Sequence, residues 1–197
     1  MGENISKKDI NDNPNNLEID KLKKELISNL KEVKCVKFGE FTLASGKKSN
    51  YYIDIKKATT NPKILKIVAK IIKYHLREQL DKNGNLKIAG VELGSVPIAT
   101  AVSLETEKEL LIIRKKPKDY GTKSKIEGEL NEGDRVVIVE DVTTTGGSVL
   151  KAVDEIRLKG GIVKEIFVIV DRMEGALENL SSKNIKIVPL VTVDELK

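Results

Sequence analysis

The chain has 197 residues, 40% hydrophobic and 33% charged, which predicts one domain with a substantial core and excludes both a disordered chain and a membrane-embedded one. A lone cysteine, Cys35, excludes a disulfide framework and a cysteine-based zinc cluster, and a lone histidine, His75, excludes chemistry built on several imidazoles. The net charge of +5 fits a nucleic-acid partner or small phosphorylated anions, but 4% aromatics and no Trp leave little for base stacking, so the balance favours an enzyme that handles small anions.

Residues 1–16, rich in Asn, Asp and Lys and holding Pro14, read as a disordered polar tail ahead of a single domain over 17–197. The opening residues do not resemble a secretory leader and no apolar run reaches the roughly 18 residues that span a bilayer, so a cytoplasmic protein with no membrane contact is expected. Apolar residues at helical spacing predict a helix over 19–33, with Ile19, Leu22, Leu26, Ile27 and Leu30 on one face. Residues 37–55 mix Phe, Tyr, Thr and Ile with glycines and predict short strands around a turn. Asn61-Pro62 opens a helix through residue 80, with Pro where its missing N–H costs nothing.

From there the pattern alternates. Short apolar strands are predicted at 86–91, 110–113, 136–139, 166–170 and 185–188, with helices at 97–107 and 146–159 between them. Continuous apolar strands separated by helices indicate βαβ units and a parallel sheet covered on both faces. Residues 114–131 form one long polar loop with Gly121 and Gly128, a length that in a compact domain usually serves function as a lid. His75 shares the helical spacing of Ile64, Val68 and Ile71 and reads as a core or interface residue, and Cys35 as a small buried apolar one.

Residues 135–159 carry the most chemistry. An apolar strand runs into Glu140 and Asp141, then a turn, Val142, Thr143, Thr144, Thr145, Gly146, Gly147, Ser148, and then a helix. In an open α/β sheet such a turn lies at the carboxyl end of a strand, where ligands bind. Glycines let the backbone approach a ligand, hydroxyls add donors, and the helix N-terminus suits a phosphate monoester. The acids serve something else, sugar hydroxyls or a divalent cation. The spacing and lysine of a Walker loop are missing, and the acids precede the glycines, unlike a dinucleotide fingerprint.

This segment resembles the phosphoribosyl-diphosphate (PRPP) signature of type I phosphoribosyltransferases. Three further segments resemble those of orotate phosphoribosyltransferases: residues 38–54 (FGEFTLASGKKSNYYID), the loop at 114–122 (RKKPKDYGT), and Asp171-Arg172-Met173-Glu174-Gly175. All stand in the expected order, and the resemblance covers residue 17 to the C-terminus, so the chain is identified as a member of that family. The resemblance implies an α/β fold with a central, mostly parallel sheet flanked by helices and a small hood built largely from the N-terminal region. It implies transfer of the 5-phosphoribosyl group from PRPP to orotate, giving orotidine 5′-monophosphate and pyrophosphate in pyrimidine (UMP) biosynthesis. By the same resemblance Arg114, Lys115, Lys118 and Tyr120 act on the diphosphate from the catalytic loop, Glu140 and Asp141 hold the ribose hydroxyls, and Val142 to Ser148 hold the 5′-phosphate. Thr144 and Arg172 contact the orotate, with Tyr52 and Ile53 beside its ring. Mg²⁺ is expected to arrive with PRPP, with Asp141 as the protein's candidate contact. The loop is expected to serve the neighbouring subunit of a homodimer.

The chain departs from the family pattern at three places. Ala44 stands where many members carry a lysine near the base, Tyr120 where many carry a histidine, and Glu92 lies in the turn GVELGSVP that matches the pyrophosphate-binding turn. Glu92 suits an anion site only if it bonds backbone or helps hold Mg²⁺. Two alternatives stand beside the main reading: a purine-type phosphoribosyltransferase, for which Ala44 leaves room, and a PRPP-sensing regulator, which the short N-terminal region cannot equip with a DNA-binding module.

Overall fold

The computed structural model of the protein describes residues 14–42, 48–80, 85–117 and 124–197. Ala44, Lys118 and Tyr120 lie outside the described residues. In chain order the elements are α1 (Pro14–Glu32), β1 (Val36–Thr42), β2 (Lys48–Ile53), α2 (Lys56–Thr59), α3 (Pro62–Leu80), β3 (Leu86–Val91), α4 (Val96–Thr106), β4 (Leu110–Ile113), β5 (Ile126–Glu127), β6 (Arg135–Thr143), α5 (Gly147–Leu158), β7 (Ile162–Asp171), α6 (Ala176–Ser181) and β8 (Lys186–Thr192), followed by a 3-10 turn, Val193–Leu196.

Six strands form one sheet in the order β5-β4-β3-β6-β7-β8, and every pairing is parallel except that of β5 with β4. Alternation along each strand divides the core in two. Val137, Val139, Phe167 and Ile169 face α1, α3 and α4, whereas Val136, Ile138, Ile166 and Val168 face α5 and α6. The strands are apolar on both faces because helices cover both. β3 is followed in sequence by β4 on one side, while β6 lies on its other side, so the chain reverses direction across the sheet between β3 and β6. A crevice opens outside the carboxyl ends of strands at such a switch point.

The N-terminal half behaves as its residues dictate. Asn61 caps α3 by accepting N–H bonds from Lys63 (2.9 Å) and Ile64 (3.3 Å) at its side-chain oxygen, and Pro62 takes the first helical position. β1 and β2 form a separate antiparallel hairpin, fastened to the body where the Asp54 N–H donates to the Cys35 carbonyl (2.6 Å) and where Ile53 and Ile55 enter the core. Cys35 is fully buried, and burial pushes its thiol up to about 11, so it is an inert core residue.

Several boundaries differ from expectation. α1 starts at Pro14, inside the segment read as tail, because proline is tolerated in a first helical turn and the polar residues after it carry no periodic signal. β6 continues through Glu140 and Asp141 into Val142 and Thr143, of which the last two read as turn in isolation; pairing with Val168, Val170 and Asp171 of β7 holds the segment extended. The 114–131 loop is interrupted by β5, and α6 was not predicted, having only six residues in which to show a period. His75 lies at the surface rather than in the core, with its ring 5.8 Å from Phe167.

Candidate active site

The crevice at the switch point is walled by three segments. Its floor is the end of β6, one wall is the turn between β3 and α4, and the other is the turn from β6 into α5. Gly146 sits at φ 79°, a left-handed conformation that glycine adopts without strain, and it lets the chain swing from strand into helix. No side chain caps α5, so the N–H groups of Gly147, Ser148 and Val149 stay open to a ligand at the positive end of the helix. Asn179 of α6 braces this turn, its side-chain amide donating to the Thr145 carbonyl at 2.9 Å. Thr145, Gly147 and Ser148 are exposed, and Thr144 is half-buried. Val142 and Thr143 belong to the strand instead, with Thr143 buried and Val142 packed on the core. Their side chains therefore do not enter the turn.

The two acids have unlike surroundings. Their carboxyl groups lie within hydrogen-bonding reach of each other, and the β3–α4 turn touches both. Glu140 is buried and accepts bonds from the Ser95 hydroxyl and the Asp141 N–H (3.1 Å). Burial, followed by the charge of Asp141, pushes the Glu140 carboxyl from 4.5 up to about 8. Burial thus favours the neutral form of Glu140, which lessens its repulsion of an incoming phosphate. Asp141 is half-buried and its Oδ1 accepts the Val142 N–H at 2.7 Å. Its carboxylate rests directly on Gly94: a Cβ at that glycine would stand 2.0 Å from Asp141 Oδ2. Among the described residues no group of three or more His, Cys, Asp or Glu comes together to hold a metal. A single carboxylate, that of half-buried Asp141, fits the way Mg²⁺ is usually held, through one or two acids with substrate phosphates and water completing the shell.

The cations fall in two places. Arg114 directly follows β4, where its N–H donates to the Lys125 carbonyl (2.7 Å) and its guanidinium reaches Glu127 (3.3 Å) and the Lys116 carbonyl (3.3 Å). Lys115 is exposed, and its N–H donates to Glu92 Oε1 at 2.6 Å. A cavity of about 490 Å³ lies between this root of the loop and α5, lined in part by Arg114, Lys115, Lys125, Ser148 and Lys151. Arg172 follows β7; its N–H donates to the Thr143 carbonyl (3.0 Å), which sets it beside the β6–α5 turn. Its guanidinium pairs with Glu174 (2.9 Å), donates to the Tyr51 hydroxyl (3.3 Å) and lies 4.8 Å from the Tyr51 ring centre.

Tyr51, and not Tyr52, is therefore the hairpin residue that meets Arg172. Tyr52 points to the other face of β2, where it is exposed and packs against Phe41 at 5.7 Å between ring centres, and Ile53 is buried in the main core. The structure thus brings together Glu140, Asp141, Thr144 to Ser148 and Arg172, with Arg114 and Lys115 at the adjoining loop root, and it sets Tyr52 and Ile53 apart from them.

Residues 54–194 match the phosphoribosyl transferase domain family. The orotate phosphoribosyltransferase of Methanococcus maripaludis is 70% identical over 175 residues, which are 89% of this chain and 94% of that protein. The chain belongs to the orotate phosphoribosyltransferase family. Solved members of the family share its fold. The orotate phosphoribosyltransferase of Aeropyrum pernix superposes with a TM-score of 0.74 at 32% identity, covering 87% of this chain and 95% of that one. That of Mycobacterium tuberculosis, in complex with 5-phospho-alpha-D-ribosyl 1-diphosphate, superposes with a TM-score of 0.72 at 27% identity over 89% of this chain and 98% of that one.

Sequence reading of this orotate phosphoribosyltransferase family member missed Ser95, Gly94, Tyr51 and Asn179. Ser95 and Gly94 stood in a recognised turn, but what they touch is set by β6, some 45 residues on. Asn179 carried no signal, because its partner is a backbone carbonyl in a distant turn.

Proposed function

We propose that the chain transfers the 5-phosphoribosyl group of PRPP to orotate at the crevice between β3 and β6, as a homodimer working with Mg²⁺. The observation that carries this reading is the end of β6, where an acid pair and an open helix N-terminus lie on one ligand-binding crevice with Arg172 beside them. A 5′-phosphate takes the open N–H groups and hydroxyls of the turn from Thr144 to Ser148, and Asp141 holds ribose hydroxyls. In the reaction the ring nitrogen of orotate bonds to the anomeric carbon as the bond from that carbon to the diphosphate oxygen breaks; pyrophosphate leaves with the electron pair, and the proton of the ring nitrogen passes to the departing pyrophosphate or to water. Positive charge builds on the ribose ring and negative charge on the leaving group, so the protein's task is positioning and charge stabilisation. Arg114, Lys115, Lys118 and Tyr120 are the groups assigned to the leaving group, where cations and a hydroxyl donor offset its growing negative charge. Arg172 takes the orotate carboxylate, its guanidinium held ready by Tyr51 and Glu174. Asp141 is the residue that would hold Mg²⁺, which would supply positive charge to the diphosphate.

The test follows the loss of orotate absorbance with protein, PRPP and Mg²⁺, omitting each in turn. Turnover is expected only with all present. Turnover with adenine or hypoxanthine and none with orotate would overturn the reading in favour of a purine-type enzyme.

A further inference from the structure

A carboxylate beside a diphosphate site is unfavourable unless it is turned to another use. Glu92 occupies such a place, in the turn between β3 and α4. Its N–H donates to the Ile113 carbonyl at 2.8 Å, extending the pairing of β3 with β4 by one residue beyond Val91 and Ile113. Past that point β3 turns away into α4, so the next N–H on the β4 side, that of Lys115, has no strand to pair with. The Glu92 side chain supplies the missing acceptor, Oε1 receiving the Lys115 N–H at 2.6 Å. On the opposite side the Arg114 N–H donates to the Lys125 carbonyl, and the Arg114 guanidinium reaches Glu127. The loop root is thus gripped from both flanks, from β5 through Arg114 and from the β3–α4 turn through Glu92.

We propose that Glu92 is a positioning residue that pins the root of the loop to the pyrophosphate-binding turn through the Lys115 N–H. The proposal rests on the reading above, in which Arg114 and Lys115 act on the diphosphate. A fixed root holds these cations at a fixed place, and a shift of about 1 Å there costs as much as 10²-fold in rate. The bond also turns the carboxylate onto backbone, away from the diphosphate, which accounts for an acid in this turn.

Two substitutions separate the acceptor from the charge. Glu92→Gln keeps a carbonyl oxygen for the Lys115 N–H, whereas Glu92→Ala removes it. The first readout is the rate at which trypsin cuts the unliganded protein between residues 115 and 125, which requires no turnover. Loop cutting is expected to be about fivefold faster in Glu92→Ala at an unchanged thermal midpoint, and within about twofold of native in Glu92→Gln. The second readout is steady-state kinetics, where Glu92→Ala should lower kcat about tenfold with the KM for orotate within about twofold, and Glu92→Gln should restore most of kcat. Native cutting rates in Glu92→Ala would overturn the pin. Equal damage in both variants would overturn it as well, since charge and not the acceptor would then matter. If the native protein fails to turn over orotate, the proposed function falls, while the trypsin result still judges the pin.

Discussion

Gly94→Ala isolates the contact between the β3–α4 turn and the acid pair. Gly94 lacks a left-handed φ, so alanine fits its backbone and the perturbation is purely steric. The new Cβ would stand 2.0 Å from Asp141 Oδ2 and 2.9 Å from Cγ, so the carboxylate must withdraw by about 1 Å or rotate away. Withdrawal gives up the bond from the Val142 N–H, 2.7 Å in the native chain, at about 1 kcal/mol, and alanine regains roughly 0.4–1 kcal/mol by restricting the unfolded chain. The thermal midpoint should then move by no more than about 4 °C. Activity is far more sensitive: a reacting group displaced by about 1 Å loses on the order of 10²-fold in kcat/KM, or about 2.7 kcal/mol of transition-state stabilisation. The assay pairs calorimetry with initial rates at varied PRPP. Activity within about threefold of native would refute the role given to Asp141, and a midpoint lowered by more than about 10 °C would show that the turn gives way and not the acid.

The raised carboxyl of Glu140 makes stability depend on pH. In the unfolded chain it loses its proton near 4.5, and in the native chain near 8, so the native state holds the extra proton between those values. Its stabilising contribution is complete below 4.5 and is lost as the pH rises towards 8. The native thermal midpoint should fall across that window relative to Glu140→Gln, and parallel curves for the two proteins from pH 5 to 8 would refute the assignment. For the homodimer, Lys118→Ala should cut kcat at least about tenfold, and Arg172→Ala should abolish orotate use. Mixing these two inactive proteins should restore part of the activity if the loop serves the neighbouring subunit, and no recovery in a subunit-exchanged mixture would refute that.

The alternation of strands and helices was legible because apolar strands covered on both faces leave an unmistakable pattern, as at Val136 to Val139. The acids, the phosphate-binding turn and Arg172 were legible as types at a spacing. What escaped was what three-dimensional pairing decides. Tyr51 and Tyr52 are equivalent in sequence, and only the face of β2 that meets the body tells which one reaches Arg172. Glu140 and Asp141 look like twins, yet one is buried against Ser95 and the other half-buried against Gly94. Glu92 read as an odd acid in an anion-binding turn, because its partner is a backbone N–H 23 residues away.

The continuation of β6 beyond its neighbour has a mechanical consequence. β3 accompanies β6 only as far as Val139, whereas β7 accompanies it to Thr143. The acids therefore sit on a strand laced to the sheet along one edge, while along the other Glu140 is bonded to Ser95 and Asp141 rests on Gly94. Along that edge the place of the acids is set by side-chain and turn contacts rather than by a strand ladder. Amide exchange should divide along the same line, slow at Thr143 and fast at Leu93.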